Sequence, residues 1–243
     1  MTDSNPMIEA RGLSKHYGPF KALDDMSFKV HRGEVVAFLG PNGAGKSTCM
    51  KLLTGYMTPT SGSGWIGGFN VVEDRIRAAE MLGYLPENGP LYLEMTPREL
   101  LDFFASARGM SGRLRRERVE AVTDTCNLDS VLDKPIQKLS KGFRQRVGMA
   151  HVLLHEPDVV IMDEPTSGLD PNQVQGVRSA IRDLGRNKAV LLSTHILSEV
   201  EAVADRVVLI DKGVLRFNGA PADLRAEGGG ELELAFQQMT GVH

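Results

Sequence analysis

Apolar residues along this chain fall into two kinds of stretch. Residues 34–39 run from Glu34 into Val35, Val36, Ala37, Phe38 and Leu39 with no polar alternation. Such a run is expected of a strand covered on both faces, as in a parallel sheet. Residues 158–162, 189–193 and 206–211 repeat the pattern. Between them the period changes to helical: after Pro171, positions Val174, Val177, Ile181 and Leu184 share one face. Strands alternating with helices predict an α/β fold with a mainly parallel sheet covered on both sides.

Other stretches depart from this alternation. Residues 8–13 and 28–30 read as strands, with turns at Gly18-Pro19 and Arg32-Gly33, and the Gly-rich stretch 61–68 reads as a return to an antiparallel strand. Together they predict an N-terminal antiparallel β subdomain. A short helix around 76–81 leads to a strand at 82–85 and a Pro/Gly-rich loop at 86–90, expected to serve as a hinge. From Thr96, an N-cap candidate followed by Pro97 and Glu99, helical patterns dominate, with Val119, Val122 and Cys126 on one face. Residues 88–156 are thus expected to form an inserted α-helical lobe within a single domain spanning 1–243. The tail, 225–243, holds Gly228-Gly229-Gly230 and then an alternating 231–236, which predicts a flexible joint and a peripheral strand.

Composition narrows the class. Apolar residues make up 42%, enough for a sizeable core, and a net charge of -3 gives no reason to expect a nucleic-acid partner. The basic run 113–118 is broken by Glu117, as in a solvated helix face. Cys49 and Cys126 lack metal-like spacing and suit a reducing compartment, as small buried side chains. Residues 1–6 lack the pattern of a secretory leader, and no apolar run approaches a membrane span. The chain is therefore expected to reach a membrane only through a partner.

The most specific chemistry lies at 40–47, where Gly40, Pro41, Asn42, Gly43, Ala44, Gly45, Lys46 and Ser47 fit G-x-x-x-x-G-K-[ST]. An apolar strand runs in, and a helix beginning near Thr48 runs out and closes at Gly55. Glycines let successive N–H groups turn into one concavity at a helix N-terminus, where the dipole also favours phosphate. Lys46 is expected to reach β- and γ-phosphates, and the Ser47 hydroxyl to hold Mg²⁺. Further on, Asp163 and Glu164 end a buried strand, the place where ligands bind in open α/β sheets. Asp163 suits a Mg²⁺-orienting role and Glu164 a general base toward water. His195 follows another strand and can donate one hydrogen bond while accepting another. Ser140 is a good N-cap for a helix through Ala150, and that N-terminus is a second candidate anion site, with Gly142 N–H as a donor. Tyr17 is read either as a strand-end tyrosine or as a platform for a purine ring.

In this order the motifs resemble the ATP-binding subunit of an ABC transporter, over residues 8–224. The resemblance implies a P-loop NTPase core that binds ATP and Mg²⁺ and hydrolyses ATP. It places the Walker A loop at 40–47, continuing into Thr48, and the Walker B segment at 159–163. Glu164 falls at the catalytic glutamate, His195 at the switch histidine and Tyr17 at the aromatic that stacks on adenine. Ser167, Gly168, Leu169 and Asp170 match the D-loop, and the signature motif falls on Leu139 through Ser140, Lys141, Gly142 and Phe143. That motif usually reads L-S-G-G-Q, so Lys141 and Phe143 are departures. Glu87 stands where the family has a glutamine near Mg²⁺, and it adds negative charge there. These features look closest to the bacterial gliding-motility and copper-processing type subunits.

The resemblance further implies a head-to-tail homodimer, or a pairing with a homologous subunit, in which Ser140 and Gly142 of one chain complete the ATP site of the other. It implies integral membrane permease subunits as partners, a place on the cytoplasmic face of the membrane, and a powering role, with export favoured. Leu91, Tyr92 and Leu93 are candidates either to line the groove that receives the permease or to join the lobe core. Two other readings stay open: a soluble ABC ATPase of DNA repair or translation, and an ATP-driven clamp on a membrane protein. The first of these fits poorly with 243 residues lacking heptads.

Overall fold

A computed structural model describes residues 5–87, 89 and 91–241. Most of the N-terminal stretch 1–6, and Asn88 and Pro90 of the expected hinge, lie outside the described residues, as do Val242 and His243 of the tail. The strands are β1 (Ile8–Tyr17), β2 (Phe20–Val30), β3 (Glu34–Leu39), β4 (Ser61–Ile66), β5 (Phe69–Asn70), β6 (Leu82–Leu85), β7 (Val159–Asp163), β8 (Ala189–Thr194), β9 (Arg206–Asp211) and β10 (Val214–Gly219). The helices are α1 (Lys46–Leu53), α2 (Arg75–Met81), α3 (Pro97–Ala107), α4 (Gly112–Cys126), α5 (Lys141–Leu153), α6 (Pro171–Gly185), α7 (Leu197–Val203), α8 (Pro221–Glu227) and α9 (Leu232–Thr240).

Six strands build the main sheet in the order β10-β9-β3-β8-β7-β6, parallel except for the antiparallel edge strand β10. The apolar runs end up at its centre because each strand has two faces to bury. Successive side chains of β3 point to opposite faces, so Val35, Ala37 and Leu39 join one core while Val36 and Phe38 join the other. The second core lies against the antiparallel sheet β2-β1-β4-β5 and takes in Cys49, Met50, Leu52 and Leu53 of α1. The first core continues into α3, α4 and α5, whose Leu100, Leu101, Val119, Val122, Cys126 and Val147 pack together.

Local signals set the lobe's helix starts. Thr96 Oγ1 accepts from Glu99 N–H at 3.2 Å while the Glu99 carboxylate accepts from Thr96 N–H at 2.8 Å, a capping box worth about 0.5–2 kcal/mol. Ser140 caps α5 by accepting from Phe143 N–H at 3.3 Å. The basic run behaves as a solvated face: Arg113 pairs with Glu117 at 2.5 Å, Arg115 with Asp102 at 3.5 Å, and Arg118 with Glu156. Both cysteines are free and buried; burial pushes both thiols up, that of Cys126 to about 12.

The tail differs from expectation. Residues 231–236 belong to no strand; α9 occupies Leu232–Thr240. Leu232, Ala235, Phe236 and Met239 all pack on the first core, a three-to-four residue spacing that a six-residue window shows only as alternation. Nor is Gly228–Gly230 an open joint: Gly229 N–H donates to Ala226 O at 3.1 Å and Gly230 N–H to Arg225 O at 3.0 Å, closing α8 into α9.

Candidate functional site

Strand register brings the chemistry together. In the parallel ladder Leu39 sits opposite Thr194, and Asp163 opposite Ser193, so β3, β8 and β7 end side by side. Residues 40–45 leave β3, His195 follows β8, and Glu164 follows β7, all at the carboxyl edge of the sheet.

The loop after β3 needs its glycines at three points, and at Gly40 a Cβ would lie 2.4 Å from the Ile210 carbonyl oxygen. Gly45 is the N-cap of α1 with φ +107°, and a Cβ there would lie 2.6 Å from the Ala22 carbonyl oxygen. Gly43 has φ +80°. The resulting curve closes Ala44 N–H onto Pro41 O at 3.2 Å. Among the described residues the amides of Gly43, Gly45, Lys46, Ser47 and Thr48 have no backbone acceptor. Gly45, Lys46 and Thr48 are buried or half-buried, and such amides are rarely left unpaired, so an anion at this helix N-terminus fits them.

Lys46 is buried at 6% exposure, and its ammonium donates to Gly40 O at 2.7 Å and Pro41 O at 3.2 Å. Its remaining face meets Glu164, whose Oε1 is 3.5 Å away. The other Glu164 oxygen lies 2.9 Å from His195 Nδ1, and the Glu164 side chain is only 10% exposed. Glu164 takes its aim from an unusual backbone. Its φ is +49°, a region an L residue enters only when held, and its N–H donates to Ser193 O at 3.2 Å and Ser193 Oγ at 3.0 Å. The Ser193 hydroxyl itself donates to Asp163 Oδ1 at 2.5 Å. Asp163, 5% exposed, has its second oxygen uncommitted among the described residues, and it does not reach the wall of the cavity that Glu164 lines.

A cavity of about 480 Å³ joins part of the sequence-derived set: its wall includes Asn42, Lys46, Ser47, Glu87, Glu164 and His195. Gly43, Gly45, Thr48 and Ser167 also border it. Tyr17 does not. It ends β1 half exposed, with its hydroxyl 3.1 Å from Met57 Sδ and Lys15 over its ring, while Phe20 reaches the cavity wall instead. The signature residues also lie apart from this cavity. Within the same chain they face the D-loop segment: Gln173 Nε2 is 3.5 Å from Ser140 Oγ, and the Lys141 ammonium sits where a Cβ on Gly168 would be. Gly142 allows this approach, since a Cβ there would fall 2.3 Å from the Gln173 amide oxygen. Ser193, Thr194 and Gln173 carried no distinguishing signal, because a serine at a strand end or a glutamine in a first helical turn is common.

Glu87 borders a second hollow as well, a groove of about 780 Å³ between core and lobe that is lined by Tyr56, Leu91, Leu93 and Phe104. Tyr92 turns away from it, 53% exposed and edge-on to Phe103. His151 stacks on Phe104 with ring centroids 3.9 Å apart, and burial, reinforced by the charge of Arg108, pulls its pKa down to about 4.

The family model described as ABC transporter matches residues 23–167, which include the loop, the signature helix, β7 and Glu164. The chain belongs to the ABC transporter family. It is 36% identical to the probable multidrug ABC transporter ATP-binding protein YbhF of Escherichia coli (strain K12), over 98% of this chain and 42% of that protein. It thus spans less than half of that relative's length. It is 37% identical to the uncharacterized ABC transporter ATP-binding protein YxlF of Bacillus subtilis (strain 168), over 91% of this chain and 73% of the other. Among solved structures, one described as the ATP binding subunit of an ABC transporter superposes with a TM-score of 0.85 at 32% identity, covering 96% of this chain and 99% of that one. CbiO1 from Clostridium perfringens, described as part of the ABC transporter complex cbiONQ, gives 0.83 at 28% identity, with 92% of each chain covered. Both superpositions cover more of this chain than the segment 23–167, so the ABC family fold extends past it.

Proposed function

We propose that this ABC family chain binds ATP at the 40–48 loop, hydrolyses it, and transmits the cycle to membrane permease subunits. The observation that carries the reading is the meeting of Lys46, Glu164 and His195 on one cavity beside five unpartnered amides. The loop amides and Lys46 hold the phosphates, and Lys46 exchanges its contacts with Gly40 O and Pro41 O for phosphate oxygens. Glu164 accepts the proton of the attacking water, while His195 holds that carboxylate in line.

Ser47 and Asp163 offer a hydroxyl and a carboxylate, hard oxygen donors of the kind Mg²⁺ takes alongside phosphates. Among the described residues no cluster of three or more His, Cys, Asp or Glu side chains forms a complete metal cage, in keeping with a cation shared with its substrate. When bound, Mg²⁺ would neutralise charge developing on the phosphates. Glu87, on the wall of the same cavity, is the further metal contact.

The N-terminus of α5, where Ser140 is exposed and Gly142 is buried beneath Gln173, would complete the ATP site of a second copy once Gln173 moves aside, giving an ATP-closed dimer. Among the described residues no helix is long and apolar enough to cross a membrane. The groove beside Leu91, Leu93 and Phe104 would seat the permease on the cytoplasmic face, and the multidrug and Nod factor export names among the relatives favour export. Equilibrium binding of ATP to the wild-type chain and to Lys46→Ala tests the site: binding is expected to be lost in the variant. Equal affinity would remove Lys46 from the phosphate contacts.

A further inference from the structure

Glu199 is a carboxylate in a place where burial is costly. It is 2% exposed on α7, and desolvation raises its pKa despite the nearby charge of Arg178. One of its oxygens, Oε1, is buried without a partner among the described residues. The other accepts the hydroxyl of Thr194, itself fully buried at the end of β8.

That hydroxyl has a second contact. Thr194 Oγ1 accepts from Ile196 N–H at 3.0 Å, and Glu199 N–H in turn donates to Ile196 O at 3.1 Å. With its proton committed to Glu199, the Thr194 oxygen must present a lone pair to Ile196. These three contacts close a ring through residues 194–199, and His195 is the residue held inside it. His195 has little else to fix it: its side chain is 43% exposed and its contact is with Glu164. Arg178 ties the far side of this ring to α6 through its 3.0 Å bond to Ser198 Oγ.

We infer that Glu199 is a positioning residue which, through the Thr194 hydroxyl, fixes the 194–196 turn and so the aim of His195 at Glu164. The inference rests on the proposed hydrolytic role of Glu164 and His195. A buried leucine at 199 would pack as well and avoid the desolvation, but it would release the Thr194 hydroxyl and unlock the turn.

The test uses the purified full chain, with ATP turnover and ATP binding measured separately. Thr194→Val, which keeps the shape and removes the hydroxyl, and Glu199→Leu are expected to lower kcat about tenfold with ATP affinity within about twofold of wild type. Thr194→Ser and Glu199→Gln, which keep the hydroxyl and the acceptor, are expected to retain kcat within about threefold. Should Glu199→Leu fail to fold, the nearly isosteric Thr194→Val decides alone. Wild-type kcat in Thr194→Val, with turnover lost in His195→Ala, would overturn the inference and leave the site reading standing. Wild-type kcat in His195→Ala would overturn both.

Discussion

Gly43 and Gly45 share a left-handed backbone but not a neighbourhood, which makes them a matched pair of probes for the loop. At Gly43, with φ +80°, an added Cβ would meet no atom within 4 Å. Alanine there faces only the conformational cost, about 1–2 kcal/mol. At Gly45, with φ +107°, the Cβ would also lie 2.6 Å from the Ala22 carbonyl oxygen and 3.3 Å from Leu23 Cδ2. The carbonyl belongs to β2 and cannot rotate away, so overpacking adds about 1–3 kcal/mol, for a total of about 2–5. For a domain of this size each kcal/mol lowers Tm by about 2–4 °C. Thermal unfolding without nucleotide is expected to show a fall of about 4–20 °C for Gly45→Ala against about 2–8 °C for Gly43→Ala. Gly45→Ala is also expected to weaken ATP binding more, since relief of the clash must move the N-terminus of α1. Equal losses of stability would refute the close approach of Gly45 to β2.

Other expectations follow from the same geometry. Glu87→Gln removes a negative charge from the cavity wall and is expected to keep ATPase activity while changing its Mg²⁺ dependence; an unchanged Mg²⁺ titration would take Glu87 out of the metal site. His151 and His155 have folded-state pKa values pulled from 6.5 down to about 4, chiefly by burial and then by Arg108. The unfolded chain therefore binds more protons between those values, so this contribution is complete above about 6.5 and is lost as pH falls toward about 4. The melting temperature is expected to drop across that window, and less steeply in His151→Phe, which keeps the stacking on Phe104; an equally steep drop would assign the acid limb elsewhere.

Much of this architecture was legible because single residues carried strong physical constraints. The unbroken apolar run of β3 admits burial on two faces, Thr96-Pro97 with Glu99 admits one helix start, and the 40–47 spacing admits few conformations. What stayed hidden was set by tertiary contacts. α9 was masked because Leu232 and Leu234 alternate locally, while its burial is decided by a surface far away in sequence. The left-handed φ of Glu164 depends on hydrogen bonds it donates to Ser193 of β8, and nothing around residue 164 announces it. The ring from Thr194 to Glu199 is likewise built of residues that are ordinary taken singly.

The central claim, that Glu164 is the base in an ATP site completed by a second copy, is tested most directly by Glu164→Gln. Its molecular mass in solution and its ATP turnover should be measured with and without Mg²⁺ and ATP. The account predicts a stable dimer that forms only with ATP and a turnover far below wild type. A monomer at saturating ATP would contradict the shared site, and wild-type turnover would contradict the role of Glu164.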